Sequence, residues 1–236
     1  MVESEENLIL LRRVKLNLIK KNMYAIASSG GKDSTFALYL AQLSGFSVTH
    51  VFHIYNLDTS RVRFHGYKPD LVEEQAKLMG LKSIIMPTRS QKFDDDFKLA
   101  LERVKHEGLK GLIFGNVFLE DVREFYETRV KSVGLEYHDI LWKRPTESLL
   151  ENFIKIGFKA IVTSIWLKKL KREYLGREIN EEFLLDIRKE GIDVCGENGE
   201  YHSLVYDGPC FKKPLSYKVY GVHEEMENIF LDIRKC

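Results

Sequence analysis

The chain has 236 residues, 44% of them hydrophobic and 30% charged, with a formal net charge of +1. That length buries one large core or two modest ones, and the near-neutral balance excludes the general basic field that a long nucleic-acid track requires. The three cysteines, Cys195, Cys210 and Cys236, are odd in number and lack C-x-x-C spacing, which argues against a disulfide framework or zinc site and for a reducing, cytoplasmic setting.

At the N-terminus Glu3, Glu5 and Glu6 precede any apolar stretch, the wrong charge order for a secretory leader, and no apolar run reaches membrane-spanning length. Tyr24 to Ser28 then reads as an apolar strand, and Thr35 to Leu43 as an amphipathic helix. Between them lie Ser29, Gly30, Gly31, Lys32, Asp33 and Ser34. A glycine-rich turn that leads from a strand into a helix makes a phosphate cradle. Backbone N–H groups approach the oxygens closely, the helix start adds partial positive charge, and Lys32 and the serine hydroxyls reach the same anion. Asp33 stands where a Walker A loop needs Ser or Thr, Ile26 stands where its first glycine belongs, and G-x-G-x-x-G is absent. S-G-G-K-D-S instead resembles the PP-loop of the ATP pyrophosphatases. That resemblance implies adenylyl transfer, with AMP and pyrophosphate as products. Asp33 fits two roles, holding a metal ion or capping the helix.

Strand-like segments recur at Ser47 to Tyr55, Ser83 to Pro87, Gly111 to Val117 and Tyr137 to Trp142, with helices in the gaps. Pro69 suits a first helical position before Leu71 to Met79, and Gly80 closes that helix. Asp94, Asp95 and Asp96 place negative charge at the start of the helix from Phe97 to Glu107. Consecutive helical residues point in three directions, so dipole compensation explains them better than a metal cluster. The pattern predicts an α/β fold with a Rossmann-like parallel sheet, whose ligands sit beyond the carboxyl ends of the strands. His53, Ile54 and Tyr55 are then candidates for the adenine, and Gly115 and Asn116 for a further nucleotide contact. Arg61, Arg63 and Arg123 suit either pairing with an anionic acceptor or a solvated surface.

After Trp142 the character changes to a helix (Glu147 to Ile156), a strand (Lys159 to Trp166) and a charged run, Lys168, Lys169, Lys171 and Arg172, that reads as a solvated face. The tail from Ser216 to Ile233 alternates like a strand. Residues 1–140 are expected to form the ATP-binding domain, and residues 141–236 a smaller α/β domain for the substrate.

The second dense constellation runs from Cys195 through Glu197, Asn198, Gly199, Glu200, Tyr201 and His202. Two glycines and an Asn favour a tight turn with solvated carboxylates. The same residues offer ammonium binding, magnesium ligation and general-base chemistry in one place. S-G-G-K-D-S, L-G-R-E-I at 175–179 and G-E-N-G-E-Y-H-S-L-V-Y-D-G-P near the end occur in the order found in the diphthine ammonia ligase family. This resemblance implies an adenine-nucleotide-alpha-hydrolase-like domain that uses ATP and Mg²⁺. It implies adenylation of the diphthine carboxylate on elongation factor 2, followed by attack of ammonia. Lys32 and Glu197 or Glu200 are then the catalytic candidates, Asp33 the metal candidate, and Glu197, Asn198, Gly199, Glu200 and Tyr201 the substrate candidates. The family commonly shows G-D-I where this chain has Gly115-Asn116-Val117, which puts any role for a carboxylate there in question. The first cysteine is Cys195 and the chain begins Met-Val, so a built-in glutaminase is not indicated and free ammonium is the expected nitrogen donor. A small-molecule carboxylate is the rival acceptor. Transfer-RNA thiolation is a weaker alternative, because neither Cys195 nor Cys210 is expected beside a cationic helix start. A nucleotide-binding protein without chemistry is the third.

Overall fold

Met23–Ala27 forms β1, in which Tyr24 and Ile26 face one hydrophobic cluster and Ala25 faces another. This is the period-two signature of a strand covered on both sides. The computed structural model describes residues 22–236, so Glu3, Glu5 and Glu6 lie outside the described residues. Lys32–Leu43 (α1), Ser47–Asn56 (β2), Pro69–Leu78 (α2), Lys82–Thr88 (β3), Phe93–His106 (α3), Gly111–Phe114 (β4), Glu120–Ser132 (α4) and Glu136–Asp139 (β5) follow. The five strands are parallel in the order β3-β2-β1-β4-β5. The strand order reverses between β1 and β4, and the crevice at such a point is where open parallel sheets bind ligands.

The expected elements are present with shifted ends. Pro69 does open α2, and Gly80 follows it with φ +74°. The fifth strand stops at Asp139 rather than Trp142. α3 begins at Phe93, earlier than the expected Phe97, and Asp94, Asp95 and Asp96 fall in its first turn; Asp96 accepts from the backbone N–H of Arg89 at 2.8 Å and pairs with its guanidinium, and Asp94 pairs with Arg129.

The second half adds Thr146–Lys155 (α5), Lys159–Trp166 (β6), Glu181–Ile187 (α6), Tyr201–Asp207 (β7), Tyr217–Glu225 (β8) and Asn228–Lys235 (β9). Its sheet is antiparallel, in the order β7-β6-β9-β8, and the alternating tail resolves into the β8–β9 hairpin. The two sheets share a core. Phe36 of α1 meets Phe153 of α5 and Phe158 edge-on at 6.2 and 6.1 Å, in the same cluster as Val162, Leu204 and Ile229. Lys168, Lys171 and Arg172 each pair with a glutamate at the surface, as a solvated face would. Among the described residues no helix is long and apolar enough to cross a membrane.

Gln75 ties the halves together. It lies on the apolar face of α2 and is 1% exposed. Its Nε2 donates to Gly30 O at 3.0 Å and Val205 O at 2.5 Å. Truncation leaves buried carbonyls short of a donor, so Gln75→Ala is expected to lower stability by roughly 1–3 kcal/mol. An unchanged denaturant midpoint would contradict this.

Candidate functional site

The turn after β1 is held from behind, which leaves its front for a ligand. Gly30 adopts φ +87°, and a Cβ there would lie 2.5 Å from Gln75 Oε1, so glycine is required twice over. Tyr67 Oη donates to Ser29 O at 2.7 Å, the Val205 N–H to Gly30 O at 3.0 Å, and the Lys32 N–H to Ser203 Oγ at 3.2 Å. Ser28 Oγ accepts from the Gly30 N–H and shares a 2.9 Å hydrogen bond with Ser34 Oγ. Among the described residues the N–H groups of Gly31, Asp33 and Ser34 have no hydrogen-bond partner in the protein. Together with the start of α1 they offer donors and partial positive charge that suit an anion.

Lys32 is 4% exposed, and its Nζ donates to Asp33 Oδ2 at 2.8 Å and to the Cys195 carbonyl. Burial works to lower its ammonium. The attraction of Asp33, with smaller contributions from Tyr201, Cys195 and Glu197, outweighs burial and holds the ammonium well above its ordinary value. Tyr201 lies under the ammonium, with its ring centroid 5.1 Å away, and donates to Val194 O at 2.6 Å. Asp33 makes no cap: Gly31 is the N-cap residue, and the Asp33 carboxylate is engaged by Lys32.

The glycine-rich loop of the second half closes over this cradle. Asp193 Oδ1 accepts from the N–H groups of Cys195 and Glu197, and the turn brings Glu197, Asn198 and Gly199 to the wall of a cavity of about 680 Å³. Such a volume suits a nucleotide-sized ligand. Ser29, Lys32, Asp33 and Ser34 line one side, His53 and Ile54 of β2 another, and Gly115 and Asn116 after β4 a third. Tyr201 lines it as well, whereas Gly30 and Gly31 are not among its lining residues. Glu200 is not on the wall either. It is 3% exposed and folds back on its own loop, accepting from the Asn198 N–H at 3.0 Å and Asn198 Nδ2 at 3.2 Å.

Glu197 is the unusual carboxyl. Burial, then the facing Asp33, push it up to about 8 against the pull of Lys32, with Asp193 and Glu200 adding to the rise. The neighbouring imidazoles are kept neutral. Burial brings His53 down to about 4, burial and Lys32 do the same to His202, and burial with His202 puts His65 well below its ordinary value. Of the three arginines, Arg61 donates to Gly66 O and Arg123 lies 3.3 Å from Asp139. Arg63 lines the cavity, over the ring of Phe93 at 5.3 Å.

Cys195 does lie beside a cationic helix start, contrary to expectation, because the loop folds onto α1. Burial nevertheless pushes its thiol well above the ordinary range, and lifts Cys210 to about 12, so neither supplies a thiolate at neutral pH. Several wall residues were not singled out in the sequence: Ser203, Phe97, Phe114 and Tyr126 on the cavity, and Tyr67 and Gln75 behind the turn. A polar Gln75 on the apolar face of a helix was the one signal available.

Family profiles match both halves: one described as the diphthamide synthase N-terminal domain over residues 22–137, and one described as its C-terminal domain over residues 145–236. The chain belongs to the diphthamide synthase family. Among similar proteins named diphthine–ammonia ligase, that of Schizosaccharomyces pombe is 27% identical over 232 residues, covering 88% of this chain and 38% of the relative. The Bos taurus protein is 32% identical over 126 residues, 51% of this chain and 47% of the relative. The Homo sapiens protein is 24% identical over 212 residues, 79% of each. The chain thus spans less than half the length of the first two relatives that it matches.

Proposed function

We propose that this chain is an ATP-dependent, AMP-forming ligase that adenylates a carboxylate and amidates it with ammonium, with diphthine on elongation factor 2 as the acceptor. The observation that carries this reading is that Lys32 at the start of α1 and Glu197 of the C-terminal loop, whose carboxyl burial and Asp33 push up, face one cavity. The names of the relatives, diphthine–ammonia ligase, point to the same chemistry.

Residues 1–140 bind ATP in this reading, and residues 141–236 present the loop to the acceptor. The cradle from Ser29 to Ser34 takes the phosphates, while His53 and Ile54 adjoin the adenine. Asp33 lies at the phosphate side of the cavity and would be the carboxylate to hold Mg²⁺, which, when bound, would supply positive charge for the leaving pyrophosphate. The acceptor carboxylate attacks the α-phosphorus, the bond to pyrophosphate breaks, and Lys32 with the free N–H groups stabilises the departing charge. Glu197 then takes a proton from ammonium, ammonia attacks the acyl carbon, the nitrogen of the tetrahedral intermediate gives its surplus proton to solvent, and AMP leaves with the carboxylate oxygen that it had captured. Glu200 holds Asn198 and so sets the shape of the loop. Asn198, Gly199 and Tyr201 adjoin the acceptor. Three free thiols fit a cytoplasmic setting.

The test is mass spectrometry of diphthine-bearing elongation factor 2 incubated with the protein, ATP, Mg²⁺ and ammonium, with AMP followed in parallel. Conversion of acid to amide with matching AMP is the expected result. An unchanged factor beside a working control ligase would exclude diphthine as the acceptor.

A further inference from the structure

Asn116 sits on the cavity wall just after β4. Its Nδ2 donates to Tyr137 Oη at 2.8 Å and to Asp139 Oδ1 at 3.1 Å. The orientation of this amide follows from the neighbours. Tyr137 Oη spends its own hydrogen on Asp139 Oδ2 at 2.6 Å, so toward Asn116 it can only accept. Asp139, with the Arg123 guanidinium 3.3 Å from its Oδ2, is likewise an acceptor. Two acceptors demand the NH₂ side of the amide, which satisfies both with its two hydrogens. Asn116 Oδ1 is thereby turned away from the network, and among the described residues it has no hydrogen-bond partner in the protein.

The position of Asn116 limits which part of a nucleotide it meets. A Cβ on Gly115 would lie 2.9 Å from the backbone C and O of Asp33 and 3.1 Å from the Ser34 N. Asn116 is therefore one residue from the contact between β4 and the phosphate cradle. The part of ATP bonded directly to the phosphates is the ribose, whose hydroxyls are donors that suit an amide oxygen. An aspartate at 116 would instead set a second carboxylate against Asp139, whose side chain is only 4% exposed, and the two would repel.

We infer that Asn116 Oδ1, locked by Asp139 and Tyr137, accepts a hydrogen bond from one of the two ribose hydroxyls and makes the site selective for a nucleotide that carries that hydroxyl. Asn116 is the contact residue, and Asp139 and Tyr137 are positioning residues. This rests on the nucleotide reading of the cavity and adds a discrimination that the reading does not require.

Calorimetric titration of the full chain with ATP, 2′-deoxy-ATP and 3′-deoxy-ATP tests it. Wild type is expected to bind ATP about five- to tenfold more tightly than one of the two deoxy forms, the effect of one hydrogen bond. Asn116→Ala should bind all three alike, at the level of the disfavoured form. Asp139→Asn and Tyr137→Phe, which release the amide, should each narrow the ratio; the second keeps the aromatic packing and so guards against loss of fold. Equal affinity of wild type for all three nucleotides, or full discrimination by Asn116→Ala, would overturn the inference. Failure of wild type to bind ATP at all is a different result, which removes the nucleotide reading and this inference with it.

Discussion

Glu197→Gln is expected to lower amide formation by about 10²-fold or more while pyrophosphate release continues, because general-base assistance contributes on that order. Burial and Asp33 hold the Glu197 carboxyl up to about 8. The wild-type amidation rate should therefore rise as pH climbs through that region and the carboxyl ionises, and the Gln variant should lack this limb. The same shift makes a stability prediction. An exposed glutamate releases its proton near 4.5, whereas Glu197 keeps it up to about 8, so the folded state holds more protons across that window. Stability contributed by the buried, protonated form is then lost as pH rises from 4.5 to about 8. Relative to wild type, Glu197→Gln should become progressively more stable across the window, as read from denaturant midpoints at its two ends. Equal loss of pyrophosphate release and amidation would assign Glu197 to ATP or metal binding. Parallel midpoints would remove the buried-acid description.

Lys32→Met should reduce pyrophosphate release by about 10²- to 10³-fold, the scale seen when one preorganised group facing developing charge is removed. Methionine keeps an apolar stem against Tyr201 while deleting the ammonium that engages Asp33 and the Cys195 carbonyl. Asp33 and the carbonyl lose a partner, so a lower melting temperature is expected as well, and circular dichroism must show that the fold persists at the assay temperature. A folded variant that releases pyrophosphate within about threefold of wild type would remove the phosphate-cradle assignment, since no oxyanion-type contact of this kind is worth so little.

The strand-turn-helix conformation around Ser29 to Ser34 was legible because its determinants are local. Ser29 to Ser34 are consecutive, and the glycine at position 30 answers a backbone requirement, φ +87°, that neighbours in sequence impose. The parallel sheet was legible for a similar reason, since alternation along Tyr24 to Ala27 and the punctuation at Pro69 and Gly80 report which faces are covered and where helices start and stop. The antiparallel arrangement of the second half was less so. Strand direction depends on which strand pairs with which, and β6 pairs with β7 and β9 across long separations.

The sequence by itself determined that a glycine-rich strand-turn-helix segment carrying Lys32 lies near the start of the described chain, and that a carboxylate-rich glycine loop lies near its end. Only the tertiary structure decided that the two meet. The Val205 N–H and Ser203 Oγ of β7 hold the turn by hydrogen bonds to Gly30 O and the Lys32 N–H, and Lys32 reaches Cys195 across the junction. It also separated two glutamates that spacing leaves equivalent. Glu197 faces the cavity and Asp33, and burial with like charge raises its carboxyl, while Glu200 is consumed by Asn198 of its own turn. The physical reason is common to both outcomes. Burial, electrostatic fields and hydrogen-bond partners are set by groups far apart in the chain, and only packing brings those groups within reach of one another.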